Sequence, residues 1–358
     1  MTEELRLSAR GRQISGWTDI AVTLKCDGFP GSFEIGMTWR DPLTKGAVIA
    51  TAGDPCEVYL GDDLVISGFI DEEMPGGDGN SRALTLTGRG KCQDLVDCSA
   101  EWPTNQLLNG DALSISKKLA SAYGIEVILA NGASAGPQVP QWALNYTETP
   151  AAIIQRLAQN AGLLAYEDSA GRLLLANVGA AQAASGVQYG PDGNVERWAW
   201  VYSMHERYSD VVCARLGTSS LGDLAGSDFF HTETDPNVPR HRQLDIVLAE
   251  VAEPAEEFTI RRAKWEVARR AGRSTVARVT IDSWRDSANR LWLPNTLVPV
   301  DLPDQHVSGP LLLSEVTFRR GGDGTHADLT LMPKDAFAIE PINLLPSNTA
   351  DITSPSLP

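Results

Sequence analysis

The residues of this 358-residue chain that could do chemistry fall into a few groups, and each is tested here by its spacing. The stretch GRGKCQDLVDCS sets Cys92 and Cys98 beside Asp94 and Asp97. Thiolates and carboxylates bind zinc, but structural sites bring cysteines in close pairs and complete the tetrahedron with a second Cys or Cys/His pair. Here the two cysteines stand too far apart and no second pair follows. The stretch is therefore expected to be a strand end turning into a short helical corner, with Leu95 and Val96 plugging a barrel. His205, His231, His241, His306 and His326 are the five histidines, and no two share the i,i+3 or i,i+4 spacing of a metalloprotease helix. A nucleophile elbow, a phosphate-binding loop and a dinucleotide fingerprint are all absent. With 46 acidic residues some carboxylate pair can always be proposed for glycoside hydrolysis, so such a pair has no weight. The expectation is that no residue is catalytic, cofactor-binding or metal-binding.

Two further aspartates sit in a repeated text. PGGDGNSRALTLTG starts at Pro75, RGGDGTHADLTLMP starts at Arg320, and both read GGDG, four residues, then LTL. Each turn offers one carboxylate, Asp78 or Asp323, where calcium takes six to eight oxygens, so both read as turn residues. Glycine supplies the positive φ of a tight turn and Asp tolerates it, which makes each copy a hairpin signal. Ser67 and Ser314 precede the two turns, Val65 and Phe69 correspond to Leu312 and Val316, and Leu84 and Leu86 to Leu329 and Leu331. The leucines share one strand face and Thr85 or Thr330 takes the other. One reading is coincidence, since hairpins reuse few turn residues. The other is that the first and last thirds of the chain are related barrels.

The elements that must position these residues follow from periodicity. From Trp17 to Arg89 the runs DIAVTLKC, GSFEIGMTW, PCEVYL, LVISGFI and ALTLTG alternate between turn residues, which predicts a small barrel or sandwich. Asp111 then caps a helix ALSISKKLASAY that ends at Gly124, and Thr149 caps PAAIIQRLAQNA, closed by Gly162. LLAYE and RLLLANV form a hairpin around DSAG. Beyond, VERWAWVYSMHERYSDVVCARLG reads as strands, a long irregular excursion follows, and the helix PAEEFTIRRAKWEVARRAG ends at Gly272. Strands return in STVARVTIDSW, TLVPVDL, LLLSEVTF and ADLTLM. The fold class is α+β, mainly β. Residues 1–98 form a first β-barrel domain, 99–182 a small α+β domain, 183–340 a second β-barrel domain with an excursion at about 218–272, and 341–358 an extended tail.

Composition narrows the function. Apolar residues at 42% and charged residues at 21% describe a folded chain rather than a disordered one. A net charge of -16 repels phosphate backbones, which argues against sequence-specific nucleic-acid binding and permits an acidic conduit. Five cysteines without framework spacing read as reduced thiols of a cytoplasmically made protein. The N-terminus has no apolar signal core and no run approaches a membrane span, so neither secretion by a signal peptide nor membrane embedding is expected. Among nine tryptophans, Trp265, Trp284 and Trp292 recur close together, the last two astride a turn in SWRDSANRLWLPN. They serve either core packing or, with Arg285, an interface, where Trp and Arg are enriched.

At this point the residues carry a resemblance. GSFEIGMTW, YLGDDLVISGFIDE, LTLTGRGKCQDLVDCS, VPRHRQL, KWEVARRAG, SWRDSANRLWLPNTLVPVDLP and MPKDAF, spanning Ser15 to Phe337, resemble the baseplate hub proteins of contractile phage tails, in the Mu-like branch. One departure is Ala288-Asn289, where an Asp-Gly type of pair is expected. The resemblance implies a ring-shaped homotrimer at the tail tip, in which each subunit contributes two similar barrels, so that six barrels meet the hexameric tail tube. It further implies a trimeric membrane-piercing spike held below, other baseplate proteins as partners, and DNA passing through the lumen without specific binding. No cofactor, no enzymatic activity and no stable membrane binding are implied, and the protein is placed in the virion tail baseplate, assembled in the bacterial host cytoplasm. An acidic lumen would give the net charge a role. Trp265, Trp284, Arg285 and Trp292 are the interface candidates. The competing functions are a tail-associated cell-wall hydrolase, which needs an acid and nucleophile pair, and a carbohydrate-binding tail module using exposed Trp and Asp.

Overall fold

A computed structural model describes residues 4–39, 50–78, 81–101, 106–136, 138–143, 147–215, 229–248 and 255–337. The first third is all strand: β1 (Leu5–Ala9), β2 (Arg12–Ile14), β3 (Asp19–Lys25), β4 (Ser32–Trp39), β5 (Pro55–Leu60), β6 (Asp63–Gly77) and β7 (Arg82–Gly90). The five runs expected to be strands are β3 to β7. The β1–β2 hairpin is additional. Its signal is the alternation of LRLSA, whose Leu5, Leu7 and Ala9 are all buried, followed by a turn at Arg10 and Gly11 with φ of 52° and 71°. β6 is long because a bulge at Asp71 lets it pair with β5 at its start and with β7 toward its end.

The middle unit comprises α1 (Gln93–Asp97), β8 (Gln106–Gly110), α2 (Ala112–Ser121), β9 (Val127–Leu129), β10 (Val139–Ala143), α3 (Pro150–Ala161), β11 (Leu164–Glu167) and β12 (Leu173–Ala176). Asp111 and Ser114 form a reciprocal capping box at the start of α2. Thr149 caps α3 with Pro150 in its first turn, and Gly162 ends it in the left-handed conformation at φ 82°. The barrel plug expected of α1 is corrected here. Leu95 is buried, but against Ile115, Ile153 and Leu157 of the two longer helices, while Val96 is 36% exposed. The corner faces the helical unit because β7 ends beneath it.

The last third adds β13 (Ala181–Gln182), β14 (Val187–Gln188), β15 (Val195–Tyr202), β16 (Asp210–Arg215), β17 (Phe229–Thr234), β18 (Gln243–Leu248), α4 (Ala255–Arg273), β19 (Thr275–Ile281), β20 (Thr296–Val298), β21 (Val300–Asp301), β22 (Leu311–Gly321) and β23 (Gly324–Met332), then a 3-10 turn at Lys334–Phe337. The excursion is less irregular than expected: β17 and β18 flank β16 in a separate three-stranded sheet whose inner face packs on α4. Parts of it, 218–228 and 249–254, and the tail 341–358, lie outside the described residues. Gly272 does not end α4. The helix runs to Arg273, and a side chain at Gly272 would overlap the backbone of Ala336, so the glycine is needed where the 3-10 turn crosses the helix. Among the described residues no helix is long and apolar enough to cross a membrane.

Strands from both ends of the chain build one thirteen-stranded sheet, whose main path runs β15-β19-β23-β22-β3-β4-β7-β6-β5-β1-β2. The join is β22 against β3, and a single hydrophobic cluster containing Leu7, Val22, Ile35, Leu86, Val316, Phe318 and Leu329 lies behind it. Both GGDG texts are hairpin turns, with their leucines buried and Thr85 and Thr330 on the other face. Their turns differ. The first closes at Gly77 opposite Arg82, with the Asp78 carboxylate accepting from the Ser81 N–H at 2.9 Å; the second closes at Gly321 opposite Gly324. This changes the register: Val316 lies opposite Leu329, whereas its expected counterpart Phe69 lies opposite Arg89. The equivalence of Phe69 with Val316 therefore fails, because a four-residue turn and a two-residue turn place LTL at different depths from the bend.

Candidate functional site

The groups that could react are held in inert surroundings. Burial pushes the thiols of Cys26 and Cys56 up to about 12 and that of Cys213 up to about 11, and raises Cys92 as well, so these thiols stay protonated and poorly nucleophilic. No cluster of three or more His, Cys, Asp or Glu able to hold a metal occurs among the described residues. His326 contacts Glu196 at 2.8 Å, His241 contacts Asp210 at 3.1 Å, and His306 stacks on Tyr202 at 4.5 Å between ring centres. None of the three faces a nucleophile. Glu167 is a largely enclosed carboxylate that accepts hydrogen bonds from the backbone of Cys92 (2.9 Å) and Gly31 (3.3 Å), and burial raises it to about 7.

A cavity of about 550 Å3 opens where the three regions meet, walled by Leu24, Ile66, Tyr166, Leu291 and Leu293, with Glu167 and Arg285 among its polar groups. Arg285 is a tie rather than an exposed anchor: it donates to Asp63 (2.7 Å) and to the carbonyl of Leu60 (3.1 Å), fastening the last third to the β5–β6 turn. Two of the tryptophan candidates are corrected. Trp284 is 0% and Trp292 2% exposed, and Trp284 donates to the carbonyls of Arg319 and His326 inside the β22–β23 hairpin. Their side chains cannot reach a partner because the chain's own core encloses them. They flank a turn as expected, with Trp292 N–H bonded to Trp284 O, and Asn289 takes φ 60°, the conformation a glycine would otherwise supply. Trp265 alone of the three is partly accessible, between the guanidinium groups of Arg262 (4.8 Å) and Arg269 (5.3 Å).

Residues not singled out from sequence are more suggestive of an assembly surface. β15 is an edge strand, and no strand among the described residues pairs with its outer side. Trp200 and Tyr202 stack along it at 5.5 Å, and Tyr189, Val201, Tyr202 and Met204 are each more than a third exposed. At the other end, the part of β6 beyond the bulge pairs with β7 alone, and Met74 there is 43% exposed. Unpaired edges bearing apolar side chains are pairing sites unless something covers them. The alternation of VERWAWVY carried this signal: Trp198, Trp200 and Tyr202 share one face of the strand, and Val201 adds an exposed apolar side chain on the other.

Between these edges lie eight strands with one face on the core and one open. In ladder register the open face carries Arg197, Arg278, Arg319, Lys25 and Arg89 alongside Asp328, Glu315, Asp19, Glu34 and Glu72, with Asp71 on Arg89 (2.6 Å) and Asp323 beside Arg319 (3.9 Å). Half-buried Thr23, Thr85, Thr87, Thr317 and Thr330 fill the space between, with Thr23 and Thr317 hydrogen bonded across the β3–β22 join at 2.9 Å. Charges of both signs are interspersed on this face.

Residues 4–90 match the N-terminal domain of Mu phage baseplate assembly protein GpP-like proteins, 92–177 the second domain of baseplate hub protein gp44-like proteins, and 255–340 the fourth domain of Mu phage baseplate assembly protein GpP. The chain is 27% identical over 348 residues to baseplate hub protein gp44 of Escherichia phage Mu, covering 95% of this chain and 90% of that protein. It is similar to the 43 kDa tail protein of prophage MuSo2 from Shewanella oneidensis, at 29% identity and a TM-score of 0.83, covering 94% of this chain and all of that one. A tail protein from Neisseria meningitidis shares the fold at 22% identity and a TM-score of 0.77, over 94% of this chain and 98% of that one. So does the E. coli c3393 protein, a type VI secretion component described as structurally similar to T4 tail proteins gp27 and gp5, at 11% identity and a TM-score of 0.58, over 95% of this chain and 80% of that one.

Proposed function

The chain belongs to the family of baseplate hub proteins of Mu-like phage tails, and from this premise we propose that it works as a trimeric ring joining the tail tube to a trimeric spike. It is a component of the virion tail baseplate; assembly in the bacterial cytoplasm, contact with the tube protein, and the division into barrels at 1–98 and 183–340 around a small domain at 99–182 belong to the proposal. The observation that carries it is the eight-stranded span with two free edges. A closed ring needs a heterologous contact in which one patch of each subunit meets a different patch of the next. β15 with its exposed Val201 and the distal half of β6 with its exposed Met74 supply two such patches at two separate free edges of one sheet.

In this arrangement the open face lines the passage and presents charges of both signs. Mixed charges and threonine hydroxyls offer DNA no continuous basic surface that would hold it. The role is mechanical, without catalysis. The carbohydrate-binding alternative loses its residues, because Trp284 and Trp292 are enclosed. The test is the solution mass with electron microscopy of the purified chain, alone and mixed with its spike. A trimeric ring is expected, and Met74→Glu combined with Val201→Glu should give a folded monomer by circular dichroism and light scattering. A stable monomer from the unaltered chain in the presence of the spike, or a ring indifferent to the double substitution, would overturn the edge-to-edge assignment.

A further inference from the structure

α4 is basic in a strongly acidic chain: it carries Arg261, Arg262, Lys264, Arg269, Arg270 and Arg273 against Glu256, Glu257 and Glu266. At its C-terminal end a pocket of about 360 Å3 is lined by Arg269, Arg270, Arg273, Ser203 and Ser274, with His205 and Glu206 at the exposed rim. Two of the three guanidinium groups are matched. Arg270 donates to Glu266 at 2.6 Å and Arg273 to Asp27 at 3.0 Å. Arg269 has no carboxylate within salt-bridge distance among the described residues, and its guanidinium lies 5.3 Å from the ring of Trp265. Burial, then the neighbouring charge of Arg273, lowers its pKa, with Glu266 and Asp27 opposing. A cation is thus held between two others in a partly buried pocket without a matched carboxylate, against the ring of a partly buried Trp265.

We propose that this pocket receives a carboxylate side chain from an acidic segment of a partner protein, with Arg269, held against the ring of Trp265, as the receiving cation. Charge complementarity selects the occupant: a guanidinium prefers planar, bidentate carboxylate, and Arg is among the residue types enriched at protein interfaces. Nucleic acid is disfavoured because the net charge of -16 repels a polyanion over distances at which a short acidic segment is hardly affected. The inference rests on the hub reading only in supposing that the chain has protein partners, and it does not depend on how the ring closes.

The experiment is fluorescence anisotropy of a labelled hexapeptide containing two glutamates and a leucine, titrated with the full chain at low salt. Arg269→Gln should weaken binding by about tenfold or more, the effect of removing one charge-assisted hydrogen bond. Arg269→Lys should be weaker by a few-fold, since it keeps the charge and loses the fork, and Trp265→Leu should weaken binding also. Arg172→Gln, which removes a cation outside the pocket lining, should leave it unchanged. Melting curves confirm that each variant is folded, and Arg269→Lys carries the test should Arg269→Gln unfold. Equal affinity of the Arg269 variants and the unaltered chain would overturn the proposal. So would displacement of the peptide by duplex DNA or by inorganic phosphate at matched charge, which would make the pocket a general anion site. Failure of ring formation with intact peptide binding would count against the ring alone.

Discussion

Glu167→Gln tests whether a buried carboxylate at the junction limits stability above neutral pH. Glu167 ends β11 and fastens the small α+β unit to the sheet through the N–H groups of Cys92 and Gly31, and it lies so close to Gly90 that a side chain there would overlap its carboxylate. Burial raises its pKa from 4.5 to about 7, opposed by the two backbone hydrogen bonds and reinforced by Asp168. The folded-state value exceeds the unfolded one, so the protonated form is the one that folding favours. Its contribution is complete below about pH 4.5 and is lost as pH rises through 7, and the interval corresponds to about 3 kcal/mol. Glutamine keeps the shape and stays neutral, so its own offset, one lost acceptor, is constant with pH. Urea denaturation at a series of pH values should therefore show Glu167→Gln gaining on the unaltered chain by about 3 kcal/mol between pH 4 and 8. Parallel profiles across that window would refute the assignment of a raised, buried carboxylate.

Trp284→Ala should cost about 3–5 kcal/mol by denaturation, because it empties a fully enclosed site and frees the carbonyls of Arg319 and His326; a loss below 1 kcal/mol would mean that the site collapses or that the ring is not enclosed. Gly272→Ala should destabilise by more than about 1 kcal/mol despite alanine's better helix propensity, and proteolysis should show the 3-10 turn at Lys334–Phe337 released from α4. Of the five thiols, Cys98 should react first and alone with a disulfide reagent at pH 8 under native conditions, the other four waiting for unfolding, as followed by absorbance.

Legibility tracked how local each determinant is. Asp111, Thr149, Pro150 and Gly162 act within one turn of helix, and their caps are where the sequence puts them. Strand alternation in β3 to β7 was equally plain. What could not be read was distance: Gly272 looks like a helix stop and is instead a contact with residues more than sixty positions later, and Leu95 and Val96 differ in burial only because of where α2 and α3 lie. The repeated GGDG text showed two hairpins but not their registers, which depend on turn length. The tryptophans were ambiguous in principle, since the same side chain serves a core or an interface; enclosure by β22 and β23 decides for Trp284, and the pairing of Trp265 with two arginines on α4 is visible in its i-3 and i+4 neighbours only once the helix is known to expose that face.

The β22–β3 join has a consequence for how the chain is made. Thr23 and Thr317 meet across 294 positions of sequence. At about 5–20 residues per second, a ribosome would take roughly 15–60 s after finishing β3 to deliver its neighbour. During that interval the edge of β3 is an open template of unpaired N–H and C=O groups, and the first third cannot complete its sheet alone. The slow step of folding is therefore tied to the arrival of the C-terminal hairpin, so that chains truncated before Leu311 should be held by chaperones or aggregate rather than accumulate as partial hubs.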